Sequence, residues 1–379
     1  MSMVLNEDQL MLKQSARDFC QANVPVSELR RVRDSQDPDG FSRDVWQQMV
    51  ALGWAGMTIP EEFGGFGFGY GGLEVVLEET GRNLVPSPLV ATVLLCATAI
   101  NLGGSQAQKS ALLPSIAVGE LLMALALEET AFHQPTRIAC SAARRGAGFV
   151  LNGQKTFVLD GHIADQLIVV ARTSGAREDA HGISLFLVDR DAQGLSVLRS
   201  EMVDSRNAAN VQLHDVYVEA EALLGELDKG YEILEKTLDV ARIGMAAEML
   251  GNAQEVFDRI IDYLKQREQF GVLIGAFQGL QHRAATMYSE LELCRSAVRR
   301  GFDELDGAQE DVPALASVAK AKLSEVLGII SSEGVQMHGG IGMTDEFDIG
   351  FYLKRARVVQ ALLGDAAFHR DRYARLNGF

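Results

Sequence analysis

The chain has 379 residues, 47% of them hydrophobic and 23% charged, with a formal net charge of −16 at pH 7. That length is too great for one small core and points to two or three domains. The negative charge, with no basic patch, argues against a nucleic-acid backbone or an anionic membrane surface as partner. Cys20, Cys96, Cys140 and Cys294 are scattered without short spacing, so neither a metal-ligand pattern nor a disulfide framework is expected.

The first 120 residues read as helical. Asn6 is a helix cap for "EDQLMLKQSARDFC", with Leu10, Leu12, Ala16 and Phe19 near helical spacing. This opening lacks the basic and apolar regions of a signal peptide, and a soluble, cytoplasmic protein is expected. Phe41-Ser42 opens a second helix through Val45, Met49 and Leu52. Pro60 and the glycines of "GWAGMTIPEEFGGFGFGYGG" mark a loop, and a helix resumes over Leu73 to Arg82. "SPLVATVLLCATAINLGG" is interrupted by polar residues and reads as a buried helix rather than a membrane span.

From residue 121 to 226 the pattern changes to short β-prone runs. "FVLNGQKTFV" places Asn152-Gly153 where a two-residue hairpin turn is expected. "DQLIVVART", "GISLFLVDR", "GLSVLRS" and "NVQLHDVYVE" follow at strand length. Over residues 227–379 the helical period returns, with apolar stripes such as Leu234, Leu238, Ala241 and Met245, and long helices joined by short connections make a bundle. The expected fold is multidomain α+β: helical domain 1–120, antiparallel β-barrel 121–226, four-helix bundle 227–379.

Three segments offer chemistry. In "REQFGVLIGAFQGLQHRAA", Arg267, Gln269, Phe270 and Gly271 follow a helix end, and Phe277-Gln278 open the next helix. An arginine beside free amides at such a junction suits a phosphate or pyrophosphate, and Phe270-Gly271 equally suits an ordinary helix C-cap. In "GVQMHGGIGMTDEF", Gly339, Gly340 and Gly342 break a helical pattern beside Gln336 and His338, which favours a ligand contact over a plain turn. In "ALLGDAAFHR", Asp365 follows Gly364 at a helix stop and start, where a capping role is the simpler reading. No lone histidine has a partner at metal-ligand spacing, so no metal site is expected.

In order and in combination, "GWAGMTIPEEFGGFGFG", "LNGQKTFVLDGHIADQLIVVART", "KQREQFGVLIGAFQGLQHRAATM" and "VQMHGGIGMTDEFDIGFYLKR" resemble the acyl-CoA dehydrogenase family over essentially the whole chain. The resemblance implies a non-covalent FAD, a tetramer and α,β-dehydrogenation of an acyl-CoA thioester in lipid metabolism, with an electron-transfer flavoprotein as acceptor. It implies that Arg267 and Gln269 reach the FAD pyrophosphate from a neighbouring subunit, that Phe270 and Gln278 flank the adenosine-diphosphate part, that Gln336, Gly339 and Gly340 cradle the cofactor from another chain with His338 in that segment by position, and that Arg242 lies near the substrate.

The departures are specific. Glu128 and Thr130 stand where most members have the Thr and Pro of a flavin-side loop. Phe157 and Leu159 replace a flavin-stacking Trp-x-Thr, and Phe157 can still lie against the ring. The family's two positions for the catalytic carboxylate fall on Leu363 and Ala241. Asp365 and Asp239 are the nearest acids to them. The Gly-Asp-Ala near the C-terminus resembles the bacterial small-subunit type, including the pimeloyl-CoA dehydrogenase small subunit, which acts on dicarboxylic or steroid side-chain CoA esters with a homologous partner. Three readings stay open: a homotetrameric dehydrogenase using Asp365 or Asp239 as base, a half-site subunit of a heterotetramer, and a flavin monooxygenase or nitroalkane oxidase-like enzyme on the same scaffold.

Overall fold

A computed structural model of the chain describes residues 4–379. The chain divides into two compact units. One comprises the described part of residues 1–31 with Tyr70–Val85 and Arg242–Phe379; the other comprises Val32–Gly69 and Pro86–Ala241.

Helix α1 (Glu7–Asn23) starts on a capping box in which Asn6 and Gln9 satisfy each other's backbone amides. Its buried residues are Gln9, Ala16 and Cys20, whereas Leu10, expected inside, is exposed. Helix α2 (Val26–Asp34) follows, and α3 (Arg43–Ala51) is capped by Ser42. Helix α4 (Tyr70–Arg82) is buried from Gly71 to Gly81 although it carries three glutamates. Each has a cation: Glu74 takes Arg299 at 2.7 Å, Glu78 takes Lys13 at 2.6 Å, and Glu79 takes Arg17 at 2.9 Å. Burial of such acids requires these partners. Helix α7 (Gly230–Gln266) crosses α4 with backbones touching: a Cβ on Gly251 would lie 1.8 Å from the Glu78 carbonyl oxygen. Helices α8 (Gln278–Leu305), α10 (Ile349–Ala361) and α11 (Ala366–Leu376) pack on α9 (Val312–His338).

In the other unit, Leu89–Ala97 is a wholly buried π-helix that runs into α5 (Thr98–Gly103). Helix α6 (Gln106–Ala117) starts on a second capping box, Ser105 with Gln108. Strands β1 (Met123–Ala126), β2 (Ser141–Arg145), β3 (Gly148–Leu159), β4 (Gln166–Arg172), β5 (Ile183–Asp189), β6 (Leu195–Glu201), β7 (Asn207–Val218) and β8 (Leu223–Leu224) form one sheet. Its order is β6-β7-β3-β2-β4-β5-β8, with β1 parallel to β4. The path does not close, so the expected barrel is an open, mainly antiparallel sheet.

The hairpin expected at Asn152-Gly153 is also corrected. The chain turns at Gly146-Ala147, and β3 runs straight through Asn152-Gly153 as a bulge against β7. The Asn152 side chain is engaged across the strands, accepting from the Asp215 amide at 2.9 Å and donating to its carboxylate at 3.0 Å. Gly153 lies so near Cys140 that a Cβ would come within 2.7 Å of its Cα. Asn-Gly favours a two-residue turn, but here the polar side chain and the missing Cβ serve strand packing. All four cysteines are buried free thiols. Among the described residues no helix is long and apolar enough to cross a membrane, and no group of acids, histidines or cysteines is placed to hold a metal.

Candidate cofactor and active site

On the sheet, a second register shift between Lys155 and Val158 gives Phe157 a φ of +50° and leaves its ring 48% exposed. Bulges of this kind re-aim side chains next to sites. Phe157 borders a concavity of about 600 Å³ that is also lined by Glu129, Thr130, Gln154, Lys155, Thr156 and Leu198. At its floor Lys155, otherwise buried, donates to Glu129 at 2.9 Å and to the Leu127 carbonyl at 3.0 Å. Burial pushes the Glu129 carboxyl up, but Lys155 and the amides of Cys140 and Ala139 outweigh it and hold it below the usual range. Leu159 is buried.

In the helical unit, α7 ends in a tight hairpin of β9 (Glu268–Gln269) and β10 (Val272–Leu273). Arg267 precedes it and Gln269 ends its first strand, both exposed. The Arg267 guanidinium makes no ion pair or hydrogen bond among the described residues. Phe270, at the tip with φ +56°, is 92% exposed, and its ring meets Phe277 edge-on at 6.3 Å. Gln278 opens α8 exposed, and no side chain caps the helix; the Leu280 and Gln281 amides turn back to the Phe277 carbonyl, which leaves the amides of Gln278 and Gly279 for an outside acceptor. Helix α9 ends at His338, followed by exposed Gly339 and Gly340; Gln336 is exposed one turn earlier. A Cβ on either glycine would meet nothing within 4 Å, so their small size is not required by this chain's own packing. His338 is different from its neighbours. It is buried, its Nδ1 lies 2.6 Å from the Gly334 carbonyl, and its ring packs between Tyr263 at 4.5 Å and Phe347 at 4.8 Å. Burial lowers its pKa. Tyr263 is also the residue whose carbonyl accepts from the Arg267 amide, so His338 fastens the α9 end to the α7 end.

The loop between α10 and α11 forms a third cluster. Leu363 is buried with φ +61°, an unfavourable conformation for leucine. Its carbonyl accepts from His369 Nε2 at 3.0 Å and faces Arg242 Nε at 3.4 Å. Arg242 is fully buried, with its guanidinium carbon 5.5 Å from the Phe368 ring centre. Lys320, also fully buried, donates to the carbonyls of Val359 at 2.9 Å, Gln360 at 3.2 Å and Gly364 at 2.8 Å. Burial, helped by the Arg242 charge and opposed by Asp365, brings its pKa down to about 7. Asp365 is exposed and caps α11, accepting from the Phe368 amide at 2.8 Å. Asp239 and Ala241 are buried on α7.

Lys320 was not singled out from sequence, nor was the pairing of Glu128 with His133. Lys320 had a signal: it occupies the apolar stripe of α9 between Ala316 and Leu323, where a lysine needs a buried acceptor.

Each unit by itself carries residues that fit a part of FAD. Its pyrophosphate needs a free cation and bare amides, which Arg267, the uncapped α8 start and Gly339-Gly340 offer. Its flat ring needs an exposed apolar face beside a cavity, which Phe157 offers.

Comparison with known proteins agrees in every part of the chain. Residues 6–120, 126–216 and 228–376 match the N-terminal, middle and C-terminal domains of acyl-CoA dehydrogenase. The chain is 32% identical over 377 residues to the mitochondrial isovaleryl-CoA dehydrogenase of Pongo abelii, covering 97% of this chain and 88% of that one. It is 30% identical over 362 residues to the caffeyl-CoA reductase-Etf complex subunit CarC of Acetobacterium woodii, covering 94% of each. The solved Tcur3481-Tcur3483 steroid ACAD superposes with a TM-score of 0.88 at 33% identity, covering 98% of both chains. The chain belongs to the acyl-CoA dehydrogenase family of FAD-dependent oxidoreductases.

Proposed function

We propose that this chain is the half-site subunit of a heteromeric acyl-CoA dehydrogenase acting on a dicarboxylic or steroid side-chain CoA ester. The observation that carries this reading is the pair of residues at the expected base positions: Leu363 and Ala241 are both apolar and buried. The nearest acid beyond Leu363, Asp365, is exposed and engaged as a helix cap. Removing the α-proton of a thioester requires a desolvated carboxylate aimed at the α-carbon. In this reading a homologous partner subunit supplies it.

The chain's own part is to hold the cofactor and the frame. Arg267, Gln269, Phe270, Gln278, Gln336, Gly339 and Gly340 meet the adenosine-diphosphate part of FAD, and Phe157 lies against its ring. When bound, FAD supplies the acceptor for the hydride that leaves the β-carbon. His338 supports the Gly339-Gly340 turn from behind. Arg242 fixes the backbone at residue 363 through its contact with the Leu363 carbonyl. The CarC relative is named as part of an Etf complex, which supports an electron-transfer flavoprotein as the electron acceptor here. The double name of the steroid ACAD relative supports a two-chain assembly.

Absorbance spectra of the protein expressed alone and with its homologous neighbour test this. Flavin bleaching by acyl-CoA is expected only from the co-expressed pair. Bleaching by the chain alone would overturn the half-site reading in favour of Asp365 or Asp239 as base.

A further inference from the structure

The loop from β1 to β2 carries two adjacent carboxylates in different settings. Glu129 is fully occupied by Lys155 at 2.9 Å and by the amides of Ala139 and Cys140 at 2.7 and 2.8 Å. Glu128 stands outside that knot. Its carbonyl accepts from the Thr156 amide at 2.8 Å, which ties it to the bulged stretch of β3 beside Phe157. Its carboxylate meets His133 Nδ1 at 2.5 Å, with side chains only 19% and 4% exposed. Through that backbone tie Glu128 adjoins the concave face that Glu129, Thr130, Lys155, Thr156 and Phe157 line, with its own partly desolvated carboxylate turned to His133 beside that face.

A flavin ring gains negative charge as it takes up a hydride. A partly desolvated carboxylate nearby opposes that charge more strongly than one in water. We propose that Glu128, positioned by His133, is an electrostatic control residue that lowers the reduction potential of the FAD this chain binds. The proposal rests on the reading above that Phe157 faces the flavin. It requires Glu128 to weaken the binding of reduced FAD relative to oxidised FAD, because potential and relative affinity are linked.

The test is the two-electron midpoint potential of the FAD-loaded protein, alone or with its partner subunit, in wild type and Glu128→Gln. The variant is expected to raise the potential by about 30 mV or more, which equals about a tenfold change in relative affinity for the two redox forms. The ratio of dissociation constants for oxidised and reduced FAD should move by the same factor. Should Glu128→Gln not fold, Glu128→Thr carries the same expectation. Asp191→Asn, which removes an exposed charge outside this loop, should leave the potential unchanged. An unaltered potential in a folded, FAD-loaded Glu128 variant overturns the proposal and leaves the half-site reading intact. A protein that takes up no FAD in either setting overturns both.

Discussion

The ammonium nitrogen of Lys320 lies 2.8 Å from the carbonyl oxygen of Gly364 and holds two further carbonyls at the end of α10. A buried lysine in this position is both a brace and a liability. Lys320→Met should lower stability by about 2 kcal/mol, because three buried carbonyls lose their donor. The pH dependence has a definite sign. The folded-state pKa is about 7, below the ordinary lysine value of 10.5, so the unfolded chain binds more protons between those values. Stability should therefore rise with pH from about 7 to 10.5, its contribution being lost as pH falls to 7. Melting curves across that window should lose this slope in Lys320→Met.

Glu74 acts in the opposite direction. Burial raises its carboxyl from 4.5 to about 7, against the pull of Arg299 at 2.7 Å. The folded state holds the proton longer, so this contribution is fully present below 4.5 and is lost as pH rises through 7. It amounts to at most about 3 kcal/mol, at 1.36 kcal/mol for each pKa unit. Glu74→Gln should flatten the stability profile between pH 4.5 and 7 and leave the alkaline side unchanged. With Lys320, the wild-type profile should show a shallow minimum near neutrality, and each variant should remove one side of it.

The fold was legible where pattern and chemistry agree locally. Asn6 and Ser42 cap the helices expected of them, and four later strands lie at the segments their alternation marks. Asn152-Gly153 misled because turn preference is local, whereas the partner that uses Asn152 is Asp215, on another strand. Leu10 misled because apolar spacing says nothing of which residues have a neighbour. At the site, Arg267 and the Gly339-Gly340 pair were visible as features expensive to keep without a ligand. His338 was placed by its segment, while its burial between Tyr263 and Phe347 depends on contacts from other elements. The clamp on residue 363 was invisible because Lys320, Arg242 and His369 come from three separate helices.

Arg267 gives a direct test of the cofactor assignment. Its guanidinium is exposed and has no partner among the described residues, so its removal should leave the melting temperature of the FAD-free protein unchanged. A charge-assisted bond to phosphate is worth about 1.5–3 kcal/mol. Arg267→Ala should then weaken FAD binding by roughly tenfold to a hundredfold, read by flavin fluorescence titration. Equal affinity in the variant would remove Arg267 from the site.

Asp365 and Leu363 separate cap from catalyst. Asp365→Ala removes the acceptor for the Phe368 amide and should lower stability by about 1 kcal/mol, with turnover of the co-expressed pair unchanged. Loss of turnover at unchanged stability would instead make Asp365 the base. Leu363→Glu is the complementary experiment. The backbone there is fixed by Arg242, His369 and Lys320 through main-chain atoms, so the side chain is not part of the clamp. A glutamate at 363 should inherit a frame already set at φ +61°. Poorly hydrated surroundings should raise its pKa toward that of a general base. The variant expressed alone should then bleach its flavin with acyl-CoA, gaining a contribution of about 10²–10⁴-fold that base catalysis supplies. A folded, FAD-loaded Leu363→Glu protein that stays yellow with acyl-CoA would show that this frame does not aim residue 363 at the substrate.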